Sequence, residues 1–161
     1  MSKRHRNVPI SVVRQLSSFT TLVLAVLSSM GVAAADEVWD TEEWGRIVYE
    51  TDNGTTAIWS FSDQGAASLG NGKIFIEGLG GVWQNRATDQ PYRGYWMVYD
   101  AAEPLCATTK TDAEGNASSS YGTFDLTFLD ANFPTRWQAS WGLCDDQPDQ
   151  TLNAKPRVGG N

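Results

Sequence analysis

The chain has 161 residues, with 12 basic and 19 acidic side chains, a net charge of −7 and a single histidine. Lys3, Arg4, Arg6, Arg14 and His5 all fall in the first 35 positions and every acidic residue comes later, so residues 36–161 set eight cations against 19 anions, a net of −11. A histidine-free stretch this acidic excludes Ser-His-Asp and Cys-His catalysis and histidine-ligated zinc, and it argues against partners made of nucleic acid or anionic membrane.

Residues 1–35 read as a secretory signal peptide: a basic start, an apolar stretch over Phe19 to Val32, and Ala33 and Ala35 as the small residues of a cleavage site. Asp36 is then the expected first residue of a secreted or periplasmic protein of 126 residues, enough for one modest core. A retained membrane anchor is the alternative. It is disfavoured because the apolar run is short, contains Ser28 and Ser29 and meets acidic residues. Nothing later in the chain is long and apolar enough for a membrane span.

The pattern after the leader is strand-like. Gly45 to Glu50 and Thr55 to Phe61 alternate apolar and polar residues around Thr51-Asp52-Asn53-Gly54, whose Asn-Gly pair signals a hairpin. Lys73 to Glu77 lies between glycine-rich segments, and Val82 to Asn85 is a further short candidate. Tyr92 to Asp100 is long and β-prone, with Leu105 to Thr111 after it and a polar loop over Ala113 to Ser120. Tyr121 to Leu129 and Thr135 to Gly142 show clean two-sided alternation. Residues 145–161 read as a flexible tail, which sets the domain at 36–144. The expected fold is all-β: one antiparallel sheet of about eight strands closed into a small barrel, with a two-layer β-sandwich as the alternative. Cys106 and Cys144 are the only cysteines, and export predicts a disulfide between them, worth about 4 kcal/mol on loop entropy.

Tryptophan density is the most distinctive feature, with seven in the chain, all after the leader. Trp59, Trp96, Trp137 and Trp141 sit at core-facing positions, whereas Trp39, Trp44 and Trp83 lie near strand ends and are expected to be partly exposed. Tyr92 to Asp100 is aromatic on both faces: Tyr92, Trp96 and Val98 on one, Tyr95, Met97 and Tyr99 on the other. A strand of that kind is buried on both faces or uses the second for recognition. The candidate ligand- or partner-binding residues are therefore Arg93, Tyr95 and Tyr99, with Arg86 from a preceding loop. An arginine there either meets a carboxylate or a ring of the ligand, or pairs internally with an acid such as Asp89 or Asp100.

The expected function is a non-catalytic binding protein that holds a small apolar or sugar-like ligand, or a partner protein, through aromatic side chains. The alternatives are an exported hydrolase using two carboxylates, with Asp125, Glu77 and Asp100 as candidates, and an envelope or inhibitor-type interaction domain. Asp112-x-Glu114-x-Asn116 and Asp145-Asp146 with Asp149 are loose oxygen clusters that depart from calcium-loop spacing. No metal, cofactor or catalytic residue is assigned. N-terminal sequencing of the exported protein is expected to start within a residue or two of Asp36; a product that retains Phe19 to Val32 establishes the anchor instead.

Overall fold

The computed structural model describes residues 37–62, 65 and 69–158, so the segment 1–35 expected to be a signal peptide lies outside the described residues. Ten strands follow in order: β1 (Val38–Asp40), β2 (Arg46–Asn53), β3 (Thr56–Ser62), β4 (Gly72–Glu77), β5 (Tyr92–Val98), β6 (Lys110–Thr111), β7 (Ala117–Ser118), β8 (Tyr121–Phe128), β9 (Trp137–Trp141) and β10 (Gln150–Pro156). Eight close into an antiparallel barrel in the order β1-β10-β9-β8-β5-β4-β3-β2, and β6 and β7 form a separate ribbon inserted between β5 and β8. The expected barrel is the fold, and no described helix is long and apolar enough to cross a membrane.

The β2–β3 hairpin turns through Gly54 and Thr55, with Asn53 opposite Thr56 and Gly54 at φ +62°. Only glycine enters that region without a Cβ penalty, so the Asn-Gly signal marks the turn.

Three segments differ from expectation. Residues 150–156 are not tail: Leu152 and Ala154 point inward while Thr151, Asn153 and Lys155 point out, and β10 pairs with both β9 and β1. Two small apolar residues in seven make a weak period-two signal, so the strand reads as polar tail. The barrel domain therefore runs past 144 to the end of β10. Val82 to Asn85 is loop between the positive-φ Gly81 and Asn85, and of Leu105 to Thr111 only Lys110 and Thr111 pair, in the ribbon.

Inside, an eight-stranded barrel has room for one shell of side chains. Six tryptophans, all 0–5% exposed, fill it in two tiers. Trp44, Trp96 and Trp141 meet edge to face, with centroids 5.1–6.1 Å apart, beside Phe61 and Phe124. Trp39 stacks on Trp59 at 4.8 Å, and both contact Trp137. Phe124 against Trp137 joins the tiers. Trp39 and Trp44 are thus core, contrary to their expected exposure. Thr41 explains Trp44: its hydroxyl accepts the Trp44 N–H and donates to Gly45, whose φ of +68° completes a turn that tucks the indole inward. Gly122 makes room for Trp96, since a Cβ there would overlap the indole that donates to the Gly142 carbonyl at 3.1 Å.

The Cys106–Cys144 disulfide is present and ties the β5–β8 excursion to the loop after β9. Trp96→Ala is expected to destabilise the fold by about 3–5 kcal/mol, as large aromatic core truncations do, measured by urea unfolding. A loss below about 1 kcal/mol would contradict the packing described.

Candidate functional site

The four candidate residues separate into three environments. Tyr95 faces outward from β5 and Tyr99 lies just after it, and most of this face is covered. Ile58, Phe75, Met97 and Tyr121 form a second buried cluster on the outside of the barrel wall, with Tyr95 stacked on Phe75 at 4.9 Å and the disulfide packed against them. The β6–β7 ribbon covers this belt and is tethered at its tip: Ala113 donates its N–H to the Tyr95 hydroxyl at 3.0 Å and accepts from the Asn53 amide at 3.0 Å. The Tyr99 hydroxyl donates to Asp112, and Lys73 pairs with Glu114 at 2.7 Å. The second aromatic face is therefore covered by the protein's own chain around Tyr95 and Met97, whereas Tyr99 stays 41% exposed. What stays open is a groove of about 280 Å³ beside Tyr95, Lys110 and Tyr121, and one of about 320 Å³ where Tyr99 meets Arg46 and Lys73.

Asp112 organises the ribbon turn. Its carboxylate accepts from the backbone of Glu114 and Asn116 and from the Asn116 amide. Burial pushes this carboxyl up, but the bonds from Tyr99, Asn116 and Glu114 outweigh it and hold its pKa below the usual value. Burial, reinforced by Asp112, drives the Tyr99 phenol well above its ordinary range. The Asp112-x-Glu114-x-Asn116 oxygens thus close a turn. Of the three carboxylates considered for hydrolysis, Glu77 at the end of β4 and Asp125 on β8 lie on the outer wall on either side of Arg93, two strands apart, whereas Asp100 follows β5 at the opposite end of the barrel.

Arg93 is exposed on the outer wall and has no ion pair among the described residues; neither Asp89 nor Asp100 holds it. Arg86 is its opposite. It is completely buried at the barrel end where β1 begins, and pairs with Glu37. Its Nε donates to the Val82 carbonyl at 2.8 Å, and the guanidinium lies 5.4–5.9 Å from the ring centres of Phe128, Trp83 and Tyr49. Nη2 has no hydrogen-bond partner, so the surrounding rings carry that part of the charge. A fully enclosed guanidinium does not contact a ligand directly, so Arg86 supports the loop around it instead.

That loop carries the residue whose role the sequence left unassigned. Trp83 is 46% exposed, the single solvent-facing tryptophan of the seven. Its indole packs on Tyr49 at 5.0 Å and lies 5.6 Å from the Arg86 guanidinium. The Tyr49 hydroxyl donates to Asp52, which also accepts the Gly81 N–H at 3.0 Å. Asn85, at φ +55°, donates its N–H to the Asn132 side chain, and Arg86 donates its own to the Ala131 carbonyl, so loop 79–91 is pinned to loop 129–136. Val82 and Arg86 turn inward while Trp83, Gln84 and Asn85 remain exposed. The result is an aromatic shelf held from beneath. The partial exposure expected of Trp83 is thus observed, whereas a binding role for it has no signature in strand periodicity, because the residue lies in a loop.

Arg86→Ala is expected to cost about 3–5 kcal/mol in chemical unfolding, because it strands the Glu37 carboxylate in a buried site. Glu37→Gln, which keeps a hydrogen-bonding group, is expected to cost less. Equal stability of Arg86→Ala and the parent would show that the pair does not hold the loop. Comparison with protein-family models, curated proteins and solved structures finds no match to this chain.

Proposed function

We propose that the chain is an exported, non-catalytic binding protein that meets its ligand or partner on the outside of the barrel, at the end closed by loops 79–91 and 129–136. The observation that carries this reading is the distribution of the seven indoles: six pack against one another in the interior, and one stands in solvent on a braced loop. Small barrels that take up a ligand internally need free volume there, and indoles from β1, β3, β5 and β9, with Trp44 from the loop before β2, occupy this one. Binding from the outside relies instead on an exposed, preorganised side chain, since a group already fixed loses little entropy on contact.

Fluorescence separates the two geometries. Acrylamide, a neutral quencher unaffected by the chain's acidity, is expected to quench one minor emission component, from Trp83, and to leave the other six indoles unquenched. An exterior ligand shields that component and leaves the buried emission unchanged. Stoichiometric uptake of an apolar probe such as palmitate, with a shift of the buried emission, would place the ligand inside and overturn the reading.

A further inference from the structure

Resting on the exterior-binding reading, we infer that Trp83 is the stacking platform of a binding site for a neutral saccharide, completed by the exposed amides of Gln84, Asn85 and Asn132. A pyranose presents a face of C–H groups edged by hydroxyls; it is recognised by a flat aromatic ring beneath and by planar polar groups at the rim. Trp83 supplies the ring. It is nearly half exposed while packed against Tyr49 and Arg86, so the part of the ring that they leave uncovered is open to a ligand. The rim groups come from both pinned loops, and the Asn85 N–H to Asn132 bond of 3.1 Å sets their spacing.

Charge selects the class. Neither loop offers a free cation: Arg86 is buried against Glu37, and Arg136 is chelated by Asp130 at 3.0 and 3.1 Å, which in turn holds the Asp130 carboxyl below its usual range. The loops themselves therefore offer an anionic ligand no partner, and the nearby Arg93 stands on the outer wall between Asp125 and Glu77. A cationic ligand would draw on a carboxylate beside the ring, yet Asp52 is already bonded to Tyr49 and Gly81, and the exposed Asp89 lies six residues along the loop from Trp83. Area argues against a protein partner. The only other large apolar side chain exposed on the two loops is Leu129, whereas a stable protein interface buries about 800 Å² a side around several anchors. One ring with an amide rim matches a single sugar unit.

The braced geometry also assigns Tyr49 and Arg86 as positioning residues. They keep the indole plane fixed and lower the ordering cost of binding, without touching the ligand.

Two-dimensional NMR of the indole N–H groups tests the site directly, with cello-, chito- and malto-oligosaccharides as probes on the full mature chain. The expected result is a saturable shift of one indole resonance, absent in Trp83→Ala, while the six interior resonances stay in place. Trp83→Ala is expected to weaken binding by at least about tenfold, and Trp83→Phe by less, because it keeps a ring. The shelf is exposed, so both variants are expected to fold, which the unchanged interior resonances verify. Saccharide binding that survives Trp83→Ala overturns the site but leaves exterior binding standing. No indole shift with any of the three probes overturns the saccharide assignment. Movement of the interior resonances with an apolar ligand overturns the exterior reading itself.

Discussion

An eight-stranded barrel of this kind is only as wide as what fills it, and here the filling is indole on indole. Trp39 on Trp59, Trp44 against Trp96 and Trp141, and Phe124 bridging to Trp137 set the distance between opposite walls. Each large ring leaves little space for an alternative neighbour, so strand register and barrel diameter are fixed together. Four of these indoles have no hydrogen-bond acceptor for their N–H. The dense ring packing around them, much of it edge to face, offsets part of that cost. Gly122 and the Thr41 turn follow from the same demand, since each admits an indole that would otherwise clash or remain outside.

A packed interior pushes every other role to the surface. The outer wall divides into a belt of Ile58, Phe75, Tyr95, Met97 and Tyr121 that the ribbon seals, and polar strands β9 and β10 whose Gln138 and Asn153 bond to each other. The ribbon thus serves the barrel as an external lining, stapled by the disulfide and by Asp112. The ends of the barrel are what remain, and the end at Trp83 combines exposure with support from below.

Much of the fold was legible because the strands obey period two. Phe124, Leu126 and Phe128, and likewise Trp137, Ala139 and Trp141, alternate without a break, and both triplets face the interior. The double-sided aromatic strand was recognisable as well, although its second face proved to be covered by a segment 13–18 residues further on, a relation that no local pattern encodes. β10 was hidden by its polar composition and β1 by its length of three residues. At the candidate site the sequence pointed to arginines among aromatics. It could not tell that Arg86 is sealed beneath the indole it supports, because that depends on the Glu37 partner 49 residues earlier. Trp83 and Trp44 occupy similar contexts near strand ends, and only the turn geometry separates the outward ring from the inward one.

The last join in the barrel links its two ends in sequence. β1 pairs with β10, and Arg157 clasps Asp40 across 117 residues through two hydrogen bonds. Until residues 150–156 are in place, β9 and β1 present open edges and the indole tiers lack one wall. Closing so long a loop is entropically slow, and the nearest-neighbour hairpins from β2 to β5 and from β8 to β9 have local contacts to form first. Folding is then expected to proceed from two hairpin blocks to a late ring closure. A chain synthesised from its N-terminus leaves the barrel unsealed until β10 has been made.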